Sequence, residues 1–243
     1  MQKYNGFTLA EVLITIGIVG IVAAITIPTL IQNTNSKRYS THFKKALSTL
    51  NQAAISAHAH YDTDYASLTT VSDPSACATD SLSGGQSTMC ALLNNTLSVK
   101  NYMGVYGEVS GIKADTPYSF TKTTDGFDAT NFLIYSLSDG AIVGFNPNMK
   151  SCSVEPGQIV NKALLTDTDG LASCMGFVDV NGVTLPNKEV TCEDDTSSLD
   201  ADNACFLKTK GIVVGDVYPV VFHDGTVEPA TNAAKAQISS GIK

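Results

Sequence analysis

The sequence predicts an α+β chain: a long N-terminal helix, membrane-spanning in its first half, packed on an antiparallel β-sheet head held by disulfides. Three observations predict it. An uncharged apolar run passes without interruption into an amphipathic helical pattern. Alternating segments broken by Asp-Gly and Asn-Gly turns follow, and six cysteines sit among them. The 243 residues are 43% hydrophobic and 16% charged, which suits one folded head with something added and argues against disorder. Net charge is −8, but it is divided unevenly. Residues 1–60 carry +4 and the remaining 183 carry −12. So acidic a body excludes phosphate-backbone binding as the main task, and no nucleic-acid partner is expected.

The first element begins at Phe7. Residues 7–27 read FTLAEVLITIGIVGIVAAITI, in which only Glu11 is charged. At ~1.5 Å per residue such a run spans about 31 Å, enough to cross a hydrocarbon core of roughly 30 Å. A secretory signal peptide is the rival reading, but its apolar core is shorter and ends at small residues, whereas Thr26-Ile27-Pro28 closes this run. Glu11 is out of place energetically. A carboxylate deep in a spanning helix costs roughly 2.5–3.5 kcal/mol on insertion scales, so it reads as functional. Beyond Pro28, Tyr39, Phe43, Leu47, Leu50, Ala54, Ala57 and Tyr61 step by three or four and form one helical stripe. A helix over 7–61 is predicted, kinked at Pro28, which donates no N–H and crowds the preceding turn.

Hairpins are predicted where Asn131–Leu137 and Ala141–Phe145 flank Ser138-Asp139-Gly140, and where Tyr218–Phe222 and Thr226–Val227 flank His223-Asp224-Gly225. Cys174–Val180 is a further strand, and Ser87–Leu97 a short helix capped by Ser87. Residues 62–85 and 193–203 read as loops, and the tail after Pro229 as frayed.

Gly6-Phe7-Thr8-Leu9-Ala10-Glu11, with the short Lys3-bearing leader, the apolar run and Pro28, resembles the N-terminus of type IV pilins and type II secretion pseudopilins. Phe177-Val178-Asp179-Val180-Asn181-Gly182 with Pro186-Asn187 is similar to a segment common in pseudopilin-like proteins. The resemblance implies a leader at 1–6, a transmembrane or filament-core half at 7–28 within the helix 7–61, and an exported head at 62–243. It implies prepilin peptidase cleavage between Gly6 and Phe7, N-methylation of Phe7, and assembly through Phe7, Glu11 and Pro28. Its partners would be other pilin or pseudopilin subunits, the peptidase and an inner-membrane assembly platform. The protein would sit single-pass in a bacterial inner membrane with its head outside the cytoplasm, then join a periplasmic or extracellular filament. Basic residues point the other way: Lys3 stands alone before the span, while Lys37, Arg38, Lys44 and Lys45 follow it. The nearest of those lies ten residues past Ile27, so the exported topology is preferred. A single-pass anchored exported binding protein is the alternative.

With an exported head, Cys77, Cys90, Cys152, Cys174, Cys192 and Cys205 read as disulfides. Fifteen pairings are formally open, and sequential pairing is expected. The cysteines show no C-x-x-C, so zinc is not expected. No cofactor is expected, although Asp167, Asp169, Asp179 and Asn181 offer oxygen ligands for calcium; none continues into an EF-hand loop, and Asx turns are preferred. His58 and His60, two apart on a helix, point to different faces. No nucleophile–base motif appears, so an enzyme is not expected. Intact-mass analysis of the mature protein should show loss of Met1–Gly6 and a monomethylated Phe7. A full-length chain in assembled material would contradict this.

Overall fold

The computed structural model describes residues 8–82, 87–97, 100–109, 131–155, 171–184, 186–192 and 215–239. Helix α1 runs from Leu9 to Tyr61 without a break, about 80 Å at 1.5 Å per residue. The helix is continuous through Pro28, so the proline does not interrupt the element. Asp62 closes it in the left-handed conformation (φ 53°), its N–H returning to the His58 carbonyl.

The second half of α1 carries the core. Phe43, Ala46, Leu47, Leu50, Ala53, Ala54 and Ala57 are all buried, the periodic stripe with two alanines added. Tyr39 is half-buried, whereas Tyr61 is exposed. Phe43 stacks on Tyr218 with ring centroids 4.2 Å apart. Tyr65 donates its hydroxyl to the Leu50 carbonyl at 2.9 Å and packs edge-on against Phe222. Asn51, placed by periodicity on an outer face, instead accepts from the Val227 N–H.

Six antiparallel strands form a meander in chain order: β1 (Lys100–Val105), β2 (Leu133–Leu137), β3 (Ile142–Phe145), β4 (Met175–Asp179), β5 (Val217–His223) and β6 (Thr226–Pro229). Four of the five expected strands match closely; β6 extends two residues further, to Pro229. Strand β1 was not foreseen: its register with β2 slips between Tyr102 and Gly104, where Gly104 takes φ 118°, so its alternation is broken. Both sheet faces are covered. Leu133, Tyr135, Val143, Phe145, Tyr218, Val220 and Phe222 join the core under α1, and Ile134, Ile142, Phe177 and Val217 form a second cluster with Tyr106, Val109 and Phe132.

Helix α2 (Met89–Thr96) is capped by Thr88, not Ser87: the Thr88 hydroxyl accepts from the Ala91 N–H at 3.0 Å. Within the expected 62–85 loop, Tyr65–Ser67 and Pro74–Thr79 form 3₁₀ turns with Tyr65, Leu68 and Cys77 buried. The tail does not fray at Pro229. Helix α3 (Asn232–Ser239) docks on α1, with the Ser40 hydroxyl donating to the Gln237 carbonyl at 3.0 Å and the Gln237 amide to the Ser36 carbonyl at 3.2 Å. Small Ala230, Ala233 and Ala234 allow that close approach and are buried.

Cys77 pairs with Cys90, tying a 3₁₀ turn to α2, and Cys152 with Cys174, tying the chain after β3 to the turn before β4. Both are the sequential pairs. Cys192 is also disulfide-bonded, and Cys205 lies outside the described residues. So do the acidic 193–203 loop, Asp167 and Asp169.

The β3–β4 pairing depends on two side-chain-free positions. A Cβ on Gly176 would lie 2.4 Å from the Gly144 carbonyl oxygen and 2.7 Å from the Phe222 ring. Neither the strand backbone nor the packed ring can yield cheaply. Gly176→Ala is therefore expected to cost about 2–3 kcal/mol, read as a lowered midpoint of denaturant unfolding. An unchanged midpoint would show that the sheet relaxes around the methyl.

Candidate functional site

The distinctive chemistry lies in the first half of α1. From Leu9 to Ile31 the apolar side chains face outward all round the helix: Leu9 is 79% exposed, Val19 65%, Ile25 69% and Leu30 67%. Among the described residues no part of the head covers them. A helix apolar on every face is stable only inside lipid or against other apolar helices. Its length and composition suffice to cross a bilayer.

Every threonine in or just beyond this run satisfies its own hydroxyl. Thr15 donates to the Val12 carbonyl, Thr26 to Val22, Thr29 to Thr26 and Thr34 to Leu30, all at 2.8–2.9 Å. Each polar group thereby enters an apolar medium already paired, which removes most of the cost of an unsatisfied donor there. Two of these threonines, Thr26 and Thr29, bracket Pro28, whose missing N–H leaves a helix carbonyl without its usual donor.

Thr8 and Glu11 treat the helix start the same way. The Glu11 carboxylate accepts from the Thr8 N–H at 2.9 Å and from the Thr8 hydroxyl at 2.7 Å, while the Glu11 N–H donates to the Thr8 oxygen at 3.3 Å. This is a reciprocal capping box, which satisfies two of the orphan amides of a helix N-terminus. It also places the carboxylate at the positive end of the helix dipole. The Thr-x-x-Glu spacing signals this cap in the sequence, and Thr8 also belongs to the stretch that resembles the cleavage motif. Gly6 and Phe7 lie outside the described residues.

The second motif segment is a buckle between strands and helix. Asp179, buried at the end of β4, accepts from the Asn181 N–H at 3.1 Å in an Asx turn. The Asn181 amide reaches the Tyr39 hydroxyl of α1 at 3.3 Å. Gly182 (φ 71°) passes so close to Gly140 that a Cβ would lie 2.5 Å from its carbonyl oxygen. Downstream, the Asp216 carboxylate accepts from the Asn187 and Lys188 N–H groups at 3.0 and 2.7 Å. Burial pushes the Asp216 carboxyl up from its ordinary range, against the pull of those donors. Asp179 and Asn181 are thus engaged in a turn. Among the described residues no three His, Cys, Asp or Glu side chains converge on a metal-sized site.

The histidines are likewise structural in their surroundings. His58 and His60 lie exposed in the last turn of α1. His223 Nδ1 lies 3.0 Å from Asp224 Oδ2, and the same carboxylate accepts from the Ser153 hydroxyl and the Val154 N–H. The serine contacts the carboxylate rather than the imidazole, so the three residues tie the β5–β6 turn to the Cys152 segment.

No curated protein and no solved structure matches this chain. Residues 1–27 match the family model described as the prokaryotic N-terminal methylation motif. The chain therefore begins with the prepilin-type cleavage and methylation segment of type IV pilins and pseudopilins, joined to an α+β head.

Proposed function

We propose that this pilin-like or pseudopilin-like protein is a structural subunit of a type IV pilus or type II secretion filament, without catalytic activity of its own. The observation that carries the reading is the union of the methylation motif at 1–27 with an apolar helix exposed on all faces and continuous with the helix of the head. Such a helix fits a membrane-anchored, exported protein. It also fits a filament core, where the bilayer's apolar surroundings are replaced by the helices of other copies.

In this scheme a prepilin peptidase hydrolyses the Gly6–Phe7 amide and Phe7 is then methylated on its new amine. The subunit starts single-pass in the inner membrane and is drawn by an assembly platform into a periplasmic or extracellular filament. The new cationic nitrogen stands four residues before Glu11 in the sequence. Thr8 holds the carboxylate at that same end. Inside an apolar core each charge alone costs several kcal/mol, and pairing Glu11 with the Phe7 amine of a neighbouring copy offsets much of it. The pair also selects one axial register, since other offsets bury two separate charges.

Glu11→Ala tests the reading. The variant should insert in the membrane and be cleaved after Gly6 as the parent is, yet be depleted from sheared filament fractions. Incorporation equal to the parent at equal membrane level would remove the carboxylate from assembly. A parent chain that stays uncleaved and never polymerises would instead identify a simple anchored binding protein.

A further inference from the structure

The charge of the helix is arranged on one face. Lys37 and Lys44 are two turns apart, as are Arg38 and Lys45, so the four bases form two adjacent rows. All four are exposed, on the side of α1 opposite buried Phe43, Leu47, Leu50 and Ala54. Lys45 reaches Asp139 of its own head at 3.2 Å. Lys37, Arg38 and Lys44 make no ion pair among the described residues. The chain just beyond the helix has the opposite character. Residues 61–99 hold Asp62, Asp64, Asp73 and Asp80 and no Lys or Arg. Asp62 and Asp73 are exposed and Asp64 half-exposed. Asp62 also caps the helix C-terminus, the negative end of its dipole.

Building on the filament reading, we infer that the Lys37–Arg38–Lys44 face of one copy docks on the Asp62–Asp64–Asp73 collar of another. Asp62 stands too far along α1 to meet these bases within one chain. Lys44 and Lys37 lie 18 and 25 residues before Asp62 on an unbroken helix, about 27 and 38 Å away at 1.5 Å per residue. A parallel copy displaced by roughly that distance brings them side by side, and other displacements do not. The contact therefore adds an axial ruler on the outside of the helix, separate from the Glu11 pair near its start. Anionic lipid is the competing partner, and geometry disfavours it. Lys37 and Arg38 lie six and seven residues past Ile31, about 9–10 Å along the axis, and Lys44 thirteen, about 20 Å, whereas a headgroup layer is only about 5–8 Å thick. Those separations exceed the physiological Debye length of ~8 Å. The −12 charge carried by residues 61–243 supplies an acidic partner at any filament contact.

The experiment uses the full chain, expressed with its assembly machinery in isotopically heavy and light forms that mix in one filament. A carbodiimide joins a lysine amine to a carboxylate only when the two touch, forming an amide and taking up the water. Heavy–light cross-links from Lys37 or Lys44 to Asp62, Asp64 or Asp73 are expected. The triple variant K37E/R38E/K44E should be cleaved and held in the membrane as the parent is, with filament incorporation reduced about tenfold, near 1.4 kcal/mol. Cross-links confined to single copies, or parental incorporation of the triple variant, would overturn the inference while leaving the filament reading intact. Loss of the triple variant from the membrane before assembly would assign the bases to lipid headgroups and equally overturn it. Absence of any polymer from the parent chain removes the filament reading itself, and is recognised because no filament exists to cross-link.

Discussion

One helix must serve two solvents, and the rest of the molecule is arranged around that requirement. The apolar side chains of α1 face outward in its first half and inward in its second, with no loop between the two regimes. The exchange takes place between Thr34 and Tyr39, beyond Pro28 and ahead of the first buried apolar core residue, Phe43. Because the element is continuous, any force or displacement applied to the exposed half is transmitted directly to the head. The head accordingly grips its half of the helix from several sides. Phe43 stacks on β5, Asn51 bonds β6, Tyr65 bonds Leu50 and α3 clamps the Ser36–Ser40 turn.

The two halves satisfy polar groups by different means. In the outward half every threonine hydroxyl turns back on its own helix, and Glu11 and Thr8 satisfy each other. Nothing there needs a distant residue, which suits a segment whose surroundings change. In the head, polar side chains bind across long sequence separations instead. Tyr39 meets Asn181, and Asp216 holds Asn187 and Lys188. The first forms only when the sheet and α1 are together and the others only when the 187–188 segment meets Asp216, so they fix one arrangement rather than travel with one element.

Much of the fold could be read from the sequence because its strongest signals are local. The step of three and four along Phe43–Ala57 marks a buried helix face, and the Asp-Gly turns locate two hairpins. The unread parts rest on non-local contacts. Strand β1 is broken in pattern by its bulge at Gly104 and is a strand because β2 pairs with it. Helix α3 has small, weakly apolar residues and is held by bonds from Ser40 and Gln237. Tyr61 fits the helical stripe but is exposed. At the N-terminus the motif residues were evident, whereas the reciprocal cap of Thr8 and Glu11 was legible in spacing but overshadowed by the cleavage motif. Asp179 and Asn181 show the opposite error, since oxygen ligands spaced for a cation also make an Asx turn.

The clamp formed by α3 bears on how the molecule is made. The strands follow one another across the sheet in chain order, so each can add to the last as the polypeptide emerges. The helix they must cover comes first, however, and the partners that seal it come last: Val227 on Asn51 and Gln237 on Ser36 and Ser40. Until residue 239 is in place, the inward stripe of α1 remains partly open to water beside a membrane surface. Helix α3 thus acts as a completion mark. A chain truncated before α3 keeps an apolar flank of α1 open to other proteins.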